Sequence, residues 1–121
     1  MAKLTHYFAR EEFACGCGCG FDTVDYTLAT VLEQLRFDFK RAVAVTSGAR
    51  CAKHNKAVGG EPDSQHLKGK AADIQVAGIS TSDVYTYLNK RYPDRFGLGV
   101  YDGWVHIDVR GGYARWDKRT S

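Results

Sequence analysis

Three observations predict an α+β domain in which a small, mainly antiparallel sheet packs with two principal helices. Apolar residues recur at intervals of three and four from Val24 to about Lys40, the period of a helix buried along one side. A second helical pattern starts at Ser80, and Ala42 to Ser47, Ala71 to Val76 and Gly97 to Arg110 carry the short apolar runs and alternation of strands. With 121 residues there is room for one core and not two, so residues 1–121 are read as a single domain.

In chain order, Phe8 to Phe13 forms a short helical turn, with Phe8 and Phe13 apolar and Arg10, Glu11 and Glu12 toward water. Cys15, Cys17 and Cys19 then alternate with glycines, and Cys51 follows far downstream. Thiols at spacing two point poorly for the dihedral of a disulfide, so three outcomes stand open: a structural zinc on all four, a bridge from one of them to Cys51, or buried free thiols. In the first helix Val24, Leu28, Val31, Leu32, Leu35 and Phe39 make the inner face, with Asp22 or Thr23 expected as its cap. Val43 and Val45 share one face of the strand that ends at the Gly48 turn, and His54 and Asn55 fall on a short helix.

The stretch Ser64 to Ile74 places His66 and Asp73 seven residues apart, across Gly69, Ala71 and Ala72, which leave little side-chain bulk. Asp73 is thereby delivered on a short apolar strand, and Trp104 to Arg110 offers His106 on another. Two histidines and an aspartate with one coordination position left open are the ligand set of a catalytic zinc. Further on, Ser80 and Asp83 begin a helix in the manner of a capping box, with Val84, Tyr87 and Leu88 inward and Pro93 beyond its end. Asp102-Gly103 turns a hairpin in which Val105, Ile107 and Val109 face the core, while Trp104, His106 and Asp108 face a cleft. Tyr113 and Trp116 are expected at the cleft edge or docked on the core.

Ser64, His66, Gly69, Ala71 and Asp73 match Ser-x-His-x-x-Gly-x-Ala-x-Asp at every fixed position, and this resembles the signature of the M15 zinc peptidases. The resemblance extends to Ser47-Gly-Ala-Arg50, to Asn55 with the Val58-Gly59-Gly60 turn, to Gly97–Tyr101 and to His106–Arg110, and is nearest to the short, phage-type endolysins of the D-Ala-D-Ala carboxypeptidase-like branch of that family. It implies a hedgehog- and DD-peptidase-like fold, one catalytic zinc, and hydrolysis of a peptide bond in cell-wall stem peptides. An L-Ala-D-Glu endopeptidase is favoured, since the chain has almost no insertions to wall off a dipeptide; a D-Ala-D-Ala carboxypeptidase is the alternative. Arg50 resembles the family arginine that fixes a substrate carboxylate or carbonyl, a task suited to a guanidinium fork, and Ser64 is placed to bond peptide or to orient a ligand. Many M15 enzymes carry their proton-transfer carboxylate three residues before the last histidine, but Gly103 stands there. Asp102 is the preferred base and Asp108 the second choice, Asp108 also being placed to hydrogen-bond a ligand imidazole. Without a working base the chain would be a zinc-containing but inactive wall-binding module.

Composition narrows the classes further. No apolar run nears the ~20 residues of a membrane span, and MAKLTHYFAR lacks the apolar core of about 7 to 15 residues of a secretory signal, so the expected place of synthesis is the cytoplasm of a bacterial host, with later release to the wall. Net charge is +3, and Arg110, Arg115, Lys118 and Arg119 gather near the end against Asp117, which favours an anionic polymer. No basic groove interleaved with aromatics points to nucleic acid. A monomer is the expected state.

Overall fold

A computed structural model describes residues 4–120. Five strands, β1 (Val43–Ser47), β2 (Ala71–Val76), β3 (Phe96–Val100), β4 (Val105–Asp108) and β5 (Tyr113–Asp117), join in one sheet of order β1-β2-β4-β3-β5. The first three pairings are antiparallel and β5 lies parallel to β3. The sheet is therefore mixed, and β5 is an addition to the expected elements. One edge of β4 is taken by β2 and the other by β3, so the chain leaving β4 cannot pair beside it and joins the outer edge of β3 instead. The turn at Gly111 and Gly112 reverses the chain, which makes that last pairing parallel.

Helix α1 (Tyr26–Phe39) buries Leu28, Ala29, Val31, Leu32 and Leu35 against the sheet, each large side chain contributing about 1.5–3 kcal/mol. Its cap is neither Asp22 nor Thr23 but Asp25, whose carboxylate accepts from Thr27 N at 2.8 Å. The reason is tertiary: Asp25 N donates to Gly69 O at 2.8 Å, so the helix begins where the chain is tied to the loop carrying His66. Gly69 has φ +67, and a Cβ there would lie 2.3 Å from Thr23 O, so both backbone angle and space call for glycine. A short helix α2 (Ala52–Ala57) follows β1, and α3 (Thr81–Arg91) is capped by Ser80 Oγ and buries Val84 and Leu88. Single 3₁₀ turns occupy Arg10–Phe13 and Gln65–Lys68.

The sheet is two-faced, as the alternation in its strands requires. Ala72, Ile74, Leu98, Val100, Val105 and Ile107 enter the core beside α1 and α3. Asp73, His106 and Asp108 alternate with them and so share the opposite face. Register completes the arrangement, since Asp73 pairs with His106, and His106 in turn with Gly99. No helix among the described residues is long and apolar enough to cross a membrane.

Candidate active site

The polar face of the sheet floors a cleft of about 560 Å³, bordered by Arg50, Glu61, Asp63, Ser64, His66, Asp73, Tyr101, His106, Asp108, Arg110 and Trp116. His66 comes from the Gln65–Lys68 turn, while Asp73 and His106 face each other across β2 and β4. One ligand atom from each of the three lies within 4.8 Å of the others. His66 Nε2 is 3.5 Å, and His106 Nδ1 3.1 Å, from Asp73 Oδ1.

Each imidazole is oriented by a bond at its other nitrogen. His66 Nδ1 donates to Gly48 O at 2.7 Å, and His106 Nε2 donates to Asp108 Oδ2 at 2.7 Å. These bonds fix the ring planes and turn His66 Nε2 and His106 Nδ1 toward Asp73, the nitrogens that would face a metal once it displaces their protons. Nitrogen, nitrogen and carboxylate oxygen converging in this way fit a zinc ion with an open position.

Charge is arranged to match. Burial would raise the Asp73 carboxyl, but hydrogen bonds from His106 and His66 and the charge of both rings hold it well below the usual carboxylate range. Burial also opposes ionisation of Asp108, and bonds from Arg110 and then His106 overcome it, so this carboxyl too lies far below its ordinary value. For His106 burial lowers the pKa, while its bonds to Asp108 and Asp73 raise it further, leaving it above the ordinary histidine value. Asp108 is fully buried, its Oδ1 taking Arg110 Nε at 2.7 Å and its Oδ2 taking Arg110 Nη2 at 2.8 Å in addition to His106. A carboxylate so fully engaged orients and neutralises; it has little capacity to shuttle a proton.

Arg50 stands at the rim, held by Ser47 Oγ, Asn55 Oδ1 and Asp73 Oδ2 at 3.1–3.3 Å. Asn55 is buried and donates to Glu61 O, tying α2 to the loop that enters the cleft. Ser64 Oγ accepts from His66 N at 3.1 Å, so it shapes the turn carrying that histidine while still bordering the cleft.

Asp102 stands elsewhere. It is exposed on the β3–β4 turn, both its oxygens accept from Thr120, and it does not border the cleft. Thr120, on the segment that folds back after β5, therefore engages the carboxylate expected to reach the cleft. The four cysteines also lie outside the cleft, gathered beside the Arg50 turn as free thiols with no disulfide.

A family model, Peptidase M15, matches residues 6–108. The chain belongs to the M15 peptidase family. M15 peptidases are zinc-dependent metallopeptidases, and the match takes in His66, Asp73, His106 and Asp108. No curated protein and no solved structure matches the chain. The family model stops before Arg110 and Trp116, yet both border this M15 cleft. Arg110 continues the alternation of His106 and Asp108 along one face, so its place at the cleft was legible in the sequence. Trp116 reaches His106 only through β5, its ring 5.1 Å from the imidazole and its Nε1 donating to Tyr101 Oη at 2.9 Å. A Cβ on Gly99 would lie 2.1 Å from that Nε1, so the glycine leaves the space the indole occupies. Asp63 and Glu61 carried no signal, since they sit in an irregular loop whose approach to the cleft is set by Asn55.

Proposed function

We propose that this M15 peptidase is a zinc-dependent peptidoglycan peptidase that hydrolyses a bond in the stem peptides, the L-Ala-D-Glu bond being favoured, and that His66 Nε2, Asp73 Oδ1 and His106 Nδ1 hold its ion. The observation that supports this reading is the pair of oriented imidazoles, each with its outer nitrogen bound to an oxygen acceptor and its inner one turned to Asp73. A zinc ion there supplies a polarised carbonyl and a water whose pKa falls to about 7.

The chain's own groups do the rest. The named bonds of Arg50 use three of its five N–H groups, leaving two for a substrate carbonyl or carboxylate, and the Ser64 hydroxyl keeps its proton to donate to the peptide backbone. Of the carboxylates at the cleft, Asp73 is a proposed ligand and Asp108 is saturated, whereas Glu61 and Asp63 are exposed, and of these two Asp63 is the one whose charge acts on Arg110. Asp63 takes a proton from the attacking water and returns it to the leaving amine nitrogen. Arg50, Arg110 and Lys118 around an open cleft suit a peptide that bears carboxylates. A phage lysis enzyme, monomeric and acting on the wall after release from the host cytoplasm, fits this chemistry.

Purified sacculi incubated with zinc-loaded protein test the proposal through mass spectrometry of the released muropeptides. New amino termini on D-Glu are expected. Release of terminal D-alanine alone would reassign the enzyme as a carboxypeptidase, and binding without any new amine would make the chain a wall-binding module.

A further inference from the structure

Outside the cleft, Cys15, Cys17, Cys19 and Cys51 bring their sulfurs within 4.8 Å of one another. Cys15 Sγ lies 3.4 Å from Cys17 Sγ and 3.8 Å from Cys51 Sγ, and Cys17 Sγ lies 3.7 Å from Cys51 Sγ. Four thiolates around zinc at about 2.3 Å form a tetrahedron whose edges are about 3.8 Å. A disulfide would need sulfurs about 2.05 Å apart, and all four thiols are free. The cluster thus has the spacing of a metal site rather than of a covalent bridge.

The backbone is shaped for the same purpose. Gly18 at φ +80 and Gly20 at φ +91 turn the loop so that three cysteines at alternate positions reach one point, which an extended strand would forbid by sending them to a single side in a row. Cys51 N donates to Cys15 Sγ and His54 N to Cys51 Sγ, both at 3.4 Å, so backbone dipoles face the sulfurs where a thiolate would carry charge.

We propose that Cys15, Cys17, Cys19 and Cys51 form a closed, structural zinc site that staples the N-terminal segment to the turn carrying Gly48 and Arg50. Binding deprotonates the four thiols, releases the protons to solvent and leaves the metal no open position for substrate or water. The strap is continued by Ala49 N donating to Phe13 O at 2.8 Å, and by Gly48, where a Cβ would lie 2.6 Å from that same oxygen. Because Gly48 O accepts from His66 Nδ1 and Arg50 follows two residues later, the thiolate site holds the frame of the catalytic histidine from outside the cleft.

Elemental analysis of protein purified with reductant, alongside thiol titration, tests the site. Wild type is expected to hold about two zinc ions per chain, with thiols that react only after a chelator removes metal. His66→Ala and the double variant Cys17→Ser/Cys19→Ser should each lose one ion, and cobalt exchanged into His66→Ala should keep the sulfur-to-metal charge-transfer bands. If the double variant does not fold, the cobalt spectrum of wild type and of His66→Ala decides alone. Thiols that titrate freely in the native protein, or cobalt-loaded protein without charge-transfer bands, would overturn this site while leaving the catalytic one untouched. Loss of zinc from His66→Ala alone bears on the catalytic proposal and not on this one.

Discussion

Asp108 accepts from His106 Nε2 at 2.7 Å while wholly withdrawn from solvent, so the orientation of this imidazole rests on a carboxylate that water cannot replace. Asp108→Asn keeps the shape and removes the charge. Outer carboxylates of this kind commonly matter 10- to 100-fold in metal affinity, and a loss of about that size is expected here in competition with a chromogenic chelator. An unchanged zinc affinity would mean that His106 is held by packing alone.

Zinc binding should depend on pH through His106. In the metal-free protein both ring nitrogens face carboxylate oxygens, Nδ1 toward Asp73 and Nε2 toward Asp108, and the pKa is raised above its ordinary value. A raised histidine contributes stability that is fully present below about pH 6.5 and is lost as pH rises through the folded-state value. The ion must displace the proton at Nδ1, so affinity should climb with pH through and beyond that ordinary value, releasing about one proton per zinc at that site. Calorimetry in buffers of different ionisation enthalpy measures the release. Affinity that is flat from about pH 6 to about pH 8 would contradict the assignment of His106.

Asp63→Asn and Asp102→Asn set the proposed proton-transfer carboxylate against the one that the sequence favours. Asp63 borders the cleft and Asp102 is engaged by Thr120 away from it. With zinc retained, Asp63→Asn should reduce turnover about 100-fold or more, the usual scale of general-base catalysis, and Asp102→Asn should leave it within a few-fold. The reverse pattern would return the role to Asp102 and require the Thr120 contact to open during turnover.

Gly99→Ala should expel Trp116 from above His106, because the added methyl would occupy the position of the indole nitrogen. Overpacking of this kind costs about 1–3 kcal/mol, seen as a lower Tm, and the displaced indole should shift its fluorescence to the red. A variant with wild-type Tm and emission would show that the sheet yields there without moving Trp116.

Much of the site was legible because its parts are local. The spacing from Ser64 to Asp73 defines a turn and a strand, and β2 begins and ends where the apolar run does. Alternation along Val105–Asp108 separates core from cleft residues before any fold is known, since a strand can send neighbours only to opposite faces. The helix cap shows the limit of such reading: Asp22, Thr23 and Asp25 are all good capping residues, and the choice was made by the bond from Asp25 N to Gly69 O, a contact across more than forty residues.

By itself, then, the sequence determined the candidate ligand types, the turn and strands that carry them, the α+β class and the family. Tertiary structure decided that Asp73 stands opposite His106, that Gly48 O orients His66, that β5 brings Trp116 over the site, and that Asp102 lies outside the cleft. It also gathered Cys51 with three cysteines more than thirty residues away. Periodicity and spacing are properties of a few consecutive residues, whereas register, strand order and the return of a chain end are settled only when distant segments compete for the same sheet edge and the same buried space.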